Sequence, residues 1–242
     1  MSKVSSSTIE LLKDDVNYYG DLGKTFLSNS DIHHLLKNLL DFKADKEPTV
    51  PMLHGSYFHT LCLEPEKVSE FQIAECASRN TKVYKDVGEL MLLQKEAEMI
   101  NDMVRTLKGS LELSELVWGR EGNNEVPGVK EIMGNMWKAK ADRVLSDCVI
   151  DLKTTSDIDG FMYSARKYNY DSQAWLYNQI FGKPMIFIAI EKKTNRLGLF
   201  DCSEDFLDYG KQKVVKATEV YNKFFGPNAT ESVEQYYLTQ TL

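Results

Sequence analysis

Lys138–Thr155 reads KAKADRVLSDCVIDLKTT. An alternating run ends at Asp142, and the apolar run Val149-Ile150-Asp151-Leu152 carries Lys153 next. Residues two apart in a β-strand project from the same face. Asp151 and Lys153 therefore project together, and a hairpin through Leu145–Asp147 brings Asp142 beside them. Carboxylates and an ammonium on one sheet face suit a divalent-metal site for phosphodiester hydrolysis. Carboxylate oxygens hold a hard cation, while the lysine positions or deprotonates a water and offsets charge at phosphorus. A structural ion pair of Asp151 with Lys153 or Arg143 would also satisfy a buried carboxylate, because unpaired buried charge is costly. Spacing alone does not choose between these readings.

Outward from this stretch, the elements predict a mixed sheet flanked by helices, an α/β (α+β mixed) fold. Leu111–Trp118, Asn135–Leu145 and Cys148–Thr154 read as strands, joined by a Gly-, Asn- and Pro-rich loop at Gly122–Gly128. Helices are expected at Asp157–Lys167, Asp171–Phe181 and Glu204–Phe225, with a short helical tail after Pro227. Pro184–Glu191 suits a buried strand, and Arg196–Cys202 is its expected neighbour. Upstream, Ser30 reads as the N-cap of IHHLLKNLLDFK. Met52–Leu63 is a helix ended by Glu64-Pro65, Glu70–Cys76 is extended, and Asp86–Leu107 is a long amphipathic helix. The chain divides into a helical part, about residues 1–110, and a sheet core, about 111–225, of one domain spanning 1–242.

Other acid-x-Lys matches occur at Asp41-Phe42-Lys43 and Glu191-Lys192-Lys193. The first lies in a helical pattern, where residues two apart diverge. The second ends a strand and enters the turn KTNR, so a solvated strand end explains it. Gln173 and Tyr177, four apart, share a helix face and reach a polar site or solvent. His59 follows Gly55 by one helical turn, which opens space for a ligand role, although a satisfied core histidine fits the same pattern.

The 242 residues are 43% hydrophobic and 27% charged, as in a globular domain. No apolar run approaches a membrane span, and the N-terminus lacks the apolar core of a signal peptide. The four cysteines are far apart with no C-x-x-C pair, which favours free thiols in a reducing cytoplasm over zinc or iron–sulfur. A net charge of −7 argues against non-specific coating of nucleic acid but leaves room for a local basic groove.

Taken together, GSYFHTLCLEPE from Gly55, KAKADR from Lys138, VIDLKTT from Val149 and YDSQAWLY from Tyr170 resemble the PD-(D/E)XK nucleases. Within them, the chain looks like the phage-type exodeoxyribonucleases of the RecE and lambda-exonuclease kind. The resemblance covers roughly Leu27 to Tyr221, in the family's order His, Asp, Asp-x-Lys, Gln-x-x-x-Tyr. It implies a restriction-endonuclease-like core. It also implies metal ligation by His59, Asp142, Asp151 and the Leu152 carbonyl, a catalytic Lys153, and support from Gln173 and Tyr177. A further acidic ligand would be Glu112 or Glu115, with Glu112 favoured. Lys140 stands where relatives carry arginine and loses the bidentate fork. Ser28 and Ser30 resemble a serine-bearing segment that contacts a terminal phosphate.

The expected function is a Mg²⁺- or Mn²⁺-dependent deoxyribonuclease using two ions. By resemblance it degrades double-stranded DNA 5′→3′ from an end, in phage-type recombination or end processing. Alternatives are a structure-specific or restriction-like endonuclease, and a non-catalytic DNA-binding protein on the same scaffold. Lys138, Lys140 and Arg143 lie near enough to meet phosphates, and Arg79, Lys82 and Lys85 form a second basic cluster. The resemblance further implies a homo-oligomeric ring, a single-strand annealing protein as partner, and a cytoplasmic location, in the host cell if phage-encoded.

Overall fold

A computed structural model gives the fold for residues 6–45 and 47–235. The first half is helical, with α1 (Ser6–Leu11), α2 (Asp15–Tyr19), α3 (Asp21–Lys24), α4 (Asn29–Lys37) and α5 (Val50–Leu63). A small parallel pair, β1 (Ile73–Ala74) and β2 (Leu92–Leu93), brackets α6 (Lys82–Lys85). Next come α7 (Gln94–Gly109) and α8 (Leu111–Ser114). The remainder runs β3 (Gly122–Ile132), β4 (Asn135–Leu145), β5 (Val149–Thr155), α9 (Phe161–Lys167), α10 (Tyr170–Phe181), β6 (Met185–Glu191), β7 (Leu197–Asp201) and α11 (Glu204–Phe224).

Strands β3 to β7 form one sheet in sequence order, antiparallel except for the β5–β6 pair. A parallel pair needs a crossover, and α9 with α10 supplies it. The β3–β4 turn is the two residues Met133 and Gly134, both at positive φ (52° and 74°), the geometry whose twist matches a hairpin. On one side of the sheet Trp137, Ala139, Ala141 and Phe187 pack with residues of α4, α10 and α11. On the other, Ile150, Leu152, Ile188 and Ile190 pack with Phe58 and Cys62 of α5 and Ile100 and Met103 of α7. Each such large apolar side chain contributes about 1.5–3 kcal/mol when fully buried. Helices α10 and α11 nearly touch at Gly210, where a Cβ would meet the Asp171 carbonyl oxygen at 2.0 Å.

Several expectations change. Residues 111–118 are not a strand: Ser110 caps α8, which continues as a π-helical turn over Glu115–Gly119, closed by Arg120 N–H on the Glu115 carbonyl. The apolar residues that reach the core there, Leu113, Leu116 and Val117, follow helical spacing. Gly122–Gly128 is not a loop but the first half of β3, and Pro127 is tolerated because β3 is the sheet's edge. The long helix begins at Gln94 rather than Asp86, because Gly88 turns at φ +75° and Leu92–Leu93 pair with β1. The helix expected from Asp157 starts at Phe161, after Asp157 has accepted the Gly160 N–H in a turn. Ser28, not Ser30, is the N-cap of α4, in a reciprocal box with Asp31.

The cysteines are free thiols, Cys62 and Cys148 buried, Cys76 and Cys202 half-buried. Among the described residues no helix is long and apolar enough to cross a membrane.

Candidate active site

The β4–β5 ladder is short. It pairs Arg143 with Ile150 and Val144 with Val149, and then the strands part. In the gap, Asp142 Oδ2 accepts the Leu152 backbone N–H at 2.7 Å. The N–H and C=O of one strand residue project to the same side, so the Leu152 carbonyl also faces this gap. Asp142, Asp151 and Lys153 line one cavity of about 380 Å³ here, together with His59, Gln173 and Tyr177.

Each of these groups is held by a neighbour. His59, on α5, sets Nδ1 at 3.2 Å from Asp142 Oδ2. Lys153 pairs with Asp151 Oδ2, and its ammonium lies 4.8 Å from the Tyr170 ring centroid. Gln173 Nε2 donates to Asp151 Oδ1 at 2.5 Å. Tyr177, one turn further along α10, donates its hydroxyl to the Lys140 carbonyl at 2.9 Å. Leu176 and Ala174 of the same helix are buried in the core.

Burial dominates the electrostatics. It pushes the Asp151 carboxyl up, reinforced by Asp142 and opposed by Lys153. Burial would also raise Asp142, but His59, Lys153 and the Leu152 N–H outweigh it, and Asp142 ends below the usual carboxylate range. Burial would lower Lys153, yet Asp151 and Asp142 hold it above its ordinary value. His59 is likewise raised, because Asp142 overrides its burial.

Glu125, absent from the sequence-based expectation, completes the cluster. It sits on β3 at φ +49°, opposite Asp142 in the hairpin register, in which Asn124 pairs Arg143 and Val126 pairs Ala141. Burial, then the Asp142 charge, push its carboxyl up to about 7. His59, Glu125 and Asp142 bring one ligand atom each within 4.8 Å of one another. Asp151 lines the same cavity but is not one of those three. Its Oδ2 is buried and held by the Lys153 ammonium. Carboxylates and an imidazole converging in this way fit a hard or borderline divalent cation.

Other expected site residues lie elsewhere. Glu112 and Glu115 are exposed on the helical segment and line no part of the cavity. Arg143 follows Asp142 by one residue and is turned away: its guanidinium serves the Leu116 and Arg120 carbonyls and the Asn124 amide. Arg79 forms a two-pronged pair with Glu96, at 2.6 Å on each side, so its fork is already occupied. Lys82 is exposed on α6. Lys140 does line the cavity, paired to Asp15 of α2, and Ser28 and Ser30 line an adjoining cavity with Lys138. Of the competing motifs, Asp41 accepts from Asn38, and Glu191 accepts from Thr194 within its turn.

The comparisons follow this geometry. The model of a family described as a PDDEXK-like domain of unknown function (DUF3799) matches residues 24–232. A crystal structure described as a candidate exonuclease from Eubacterium rectale superposes with a TM-score of 0.65 at 16% identity, covering 95% of each chain. A phage related exonuclease from Haemophilus somnus 129PT gives a TM-score of 0.36 at 16% identity, covering 82% of this chain and 94% of its own, too low to carry an argument. No curated protein matches the chain.

Proposed function

Because the chain belongs to the PDDEXK-like domain family and has the PD-(D/E)XK nuclease fold, we propose that it is a divalent-metal-dependent deoxyribonuclease acting on DNA ends. The observation that carries this reading is the convergence of His59, Glu125 and Asp142 beside the Asp151–Lys153 pair in one cavity. The exonuclease description of the Eubacterium rectale structure supports the choice of an end-acting enzyme.

His59, Glu125 and Asp142 would hold a Mg²⁺ or Mn²⁺ ion, with Asp151 and the Leu152 carbonyl available to a second. When bound, such ions polarise the phosphoryl oxygens and lower the pKa of a bound water. Lys153 stands over the same space as an ammonium, able to orient the attacking water and to offset charge as phosphorus becomes five-coordinate. Asp151 fixes the position of Lys153, and Gln173 fixes Asp151 from α10. Lys140 offers a cation at the cavity's edge once a phosphate competes with Asp15 for it.

The same reading includes 5′→3′ degradation of double-stranded DNA, a ring-shaped homo-oligomer and a single-strand annealing protein as partner, all on the resemblance to phage-type exodeoxyribonucleases. Digestion of end-labelled linear duplex and of closed circular DNA with Mg²⁺, with and without chelator, tests the core of it. The expected result is metal-dependent loss of label from the 5′ end of linear DNA and intact circles. Nicking of circles would make it an endonuclease, and no cleavage of either would remove the nuclease reading.

A further inference from the structure

A second cavity of about 360 Å³ adjoins the first and shares Tyr19, Lys140, Gln173 and Tyr177 with it. Its chemistry is different. No carboxylate lines it; its other polar walls are Ser28, Asn29, Ser30 and Lys138, whose ammonium donates to the Tyr18 carbonyl. Its aromatic walls include two rings that stand largely in water, Tyr19 at 67% and Tyr168 at 57% exposure.

Both rings sit on anchored backbone. Tyr168 precedes Asn169, which is fixed at φ +60°; the Asn169 carbonyl accepts from Asn29 at 3.1 Å and from Ser172 at 2.9 Å, and its side-chain oxygen accepts from Lys213 at 2.9 Å. Tyr19 packs edge-on against buried Tyr18, with centroids 5.0 Å apart, and Lys138 lies 4.0 Å from the Tyr18 centroid. The turn and α2 are thus held while both rings stay largely exposed, each with a lysine ammonium over one face: Lys167 at 5.4 Å from the Tyr168 centroid and Lys140 at 5.9 Å from that of Tyr19.

Exposed tyrosine rings beside lysines, in a cavity lined by no carboxylate, are a composition that binds single-stranded nucleic acid. Bases stack on the rings with little regard to sequence, and the cations meet the backbone. Enzymes that act inside duplexes reach a base by extruding it from the stack. We propose that the second cavity is a nucleobase site: Tyr168 and Tyr19 stack the unpaired base of the nucleotide adjoining the cleaved phosphate, so the strand end is drawn out of the duplex before cleavage. This rests on the nuclease reading for the position of the cleaved phosphate, but not for the base-binding itself.

The test is binding of a fluorescein-labelled single-stranded oligonucleotide, read by anisotropy with Ca²⁺ in place of Mg²⁺, for wild type, Tyr168→Ala and Tyr168→Phe. Cleavage of linear duplex with mismatched or G·C-clamped ends is measured in parallel. Tyr168→Ala should bind about ten-fold more weakly, Tyr168→Phe should match wild type, and wild type should cut mismatched ends faster, a preference that Tyr168→Ala loses. Equal affinity of wild type and Tyr168→Ala overturns the proposal. So does a loss in Tyr168→Phe as large as in Tyr168→Ala, because then the hydroxyl and not the ring makes the contact. Binding that depends on Tyr168 in a protein that cuts no DNA keeps the base site and removes the nuclease reading instead.

Discussion

Glu125 and Asp142 stand opposite one another across the β3–β4 hairpin, with their carboxylates and the His59 ring converging within 4.8 Å. Like charges directly opposite on neighbouring strands destabilise a sheet. Burial, and then the Asp142 charge, make Glu125 hold its proton more tightly, with its carboxyl pushed up to about 7. A cation held between the two carboxylates would offset that repulsion and favour loss of the proton.

Replacing Glu125 by Gln should therefore weaken divalent-ion binding by about ten-fold or more. Glu112→Gln, on the exposed helix, should leave it unchanged. Calorimetric titration of each variant with Mn²⁺ separates them, and equal affinities would remove Glu125 from the ligand set.

Asp151 is tied to Lys153 and Gln173 at the base of the cavity. Asp151→Asn keeps the shape and the Gln173 contact while removing the charge. The expected outcome is loss of DNA cleavage with an unchanged circular-dichroism spectrum and DNA affinity within a few-fold of wild type. Metal-dependent cleavage at the wild-type rate in this variant would falsify the assignment.

Lys153→Ala should lower kcat far more than it raises KM, because the ammonium acts on charge that develops during the reaction. A change confined to KM would make Lys153 a phosphate-binding residue with no part in the chemical step.

Away from the cavity, Arg79 and Glu96 predict a stability effect. Burial would raise the Glu96 carboxyl, but the Arg79 fork, the Leu93 N–H and His54 bring it from 4.5 down to about 2. A carboxylate with a depressed folded-state pKa contributes its stabilisation fully above the unfolded value and loses it as pH falls through the folded one. Glu96→Gln should be less stable than wild type by about 2 kcal/mol at neutral pH, and the gap should close as pH falls from about 5 toward 2. Urea denaturation at several pH values reads this directly. A gap that stays constant with pH would mean that the pair contributes packing only.

Strand and helix spacing put Asp151 with Lys153, and Gln173 with Tyr177, on shared faces, and the resemblance to PD-(D/E)XK nucleases singles out these four with Asp142 and His59; all six line one cavity. Glu125 is missed for a reason that lies in the turn. Met133-Gly134 forms a tight hairpin turn although methionine is an unfavourable residue for a left-handed conformation, so Gly122–Gly128 read as a loop rather than as a partner of β4. Once that hairpin is recognised, the register alone puts residue 125 opposite 142. The resemblance points to Glu112 or Glu115 because residues 111–118 read as a strand ahead of the hairpin, while the contacts that decide the segment come from Leu113, Leu116 and Val117 at helical spacing. Arg79 and Arg143 looked available to DNA because sequence shows charge but not the partner that occupies it.

Helix α2 gives the cavity one wall, and it precedes residue 24, where the family match begins. Only five residues long, it is moored to the strand beneath it largely through Lys138 on the Tyr18 carbonyl and Lys140 on Asp15. Such a piece is modular: another short segment with a carbonyl and an acid in those places could be grafted there without disturbing sheet, hairpin or ligands. On the nuclease reading, preference for one kind of DNA terminus would thus be open to re-engineering at the doorway while the hydrolytic apparatus stays as it is.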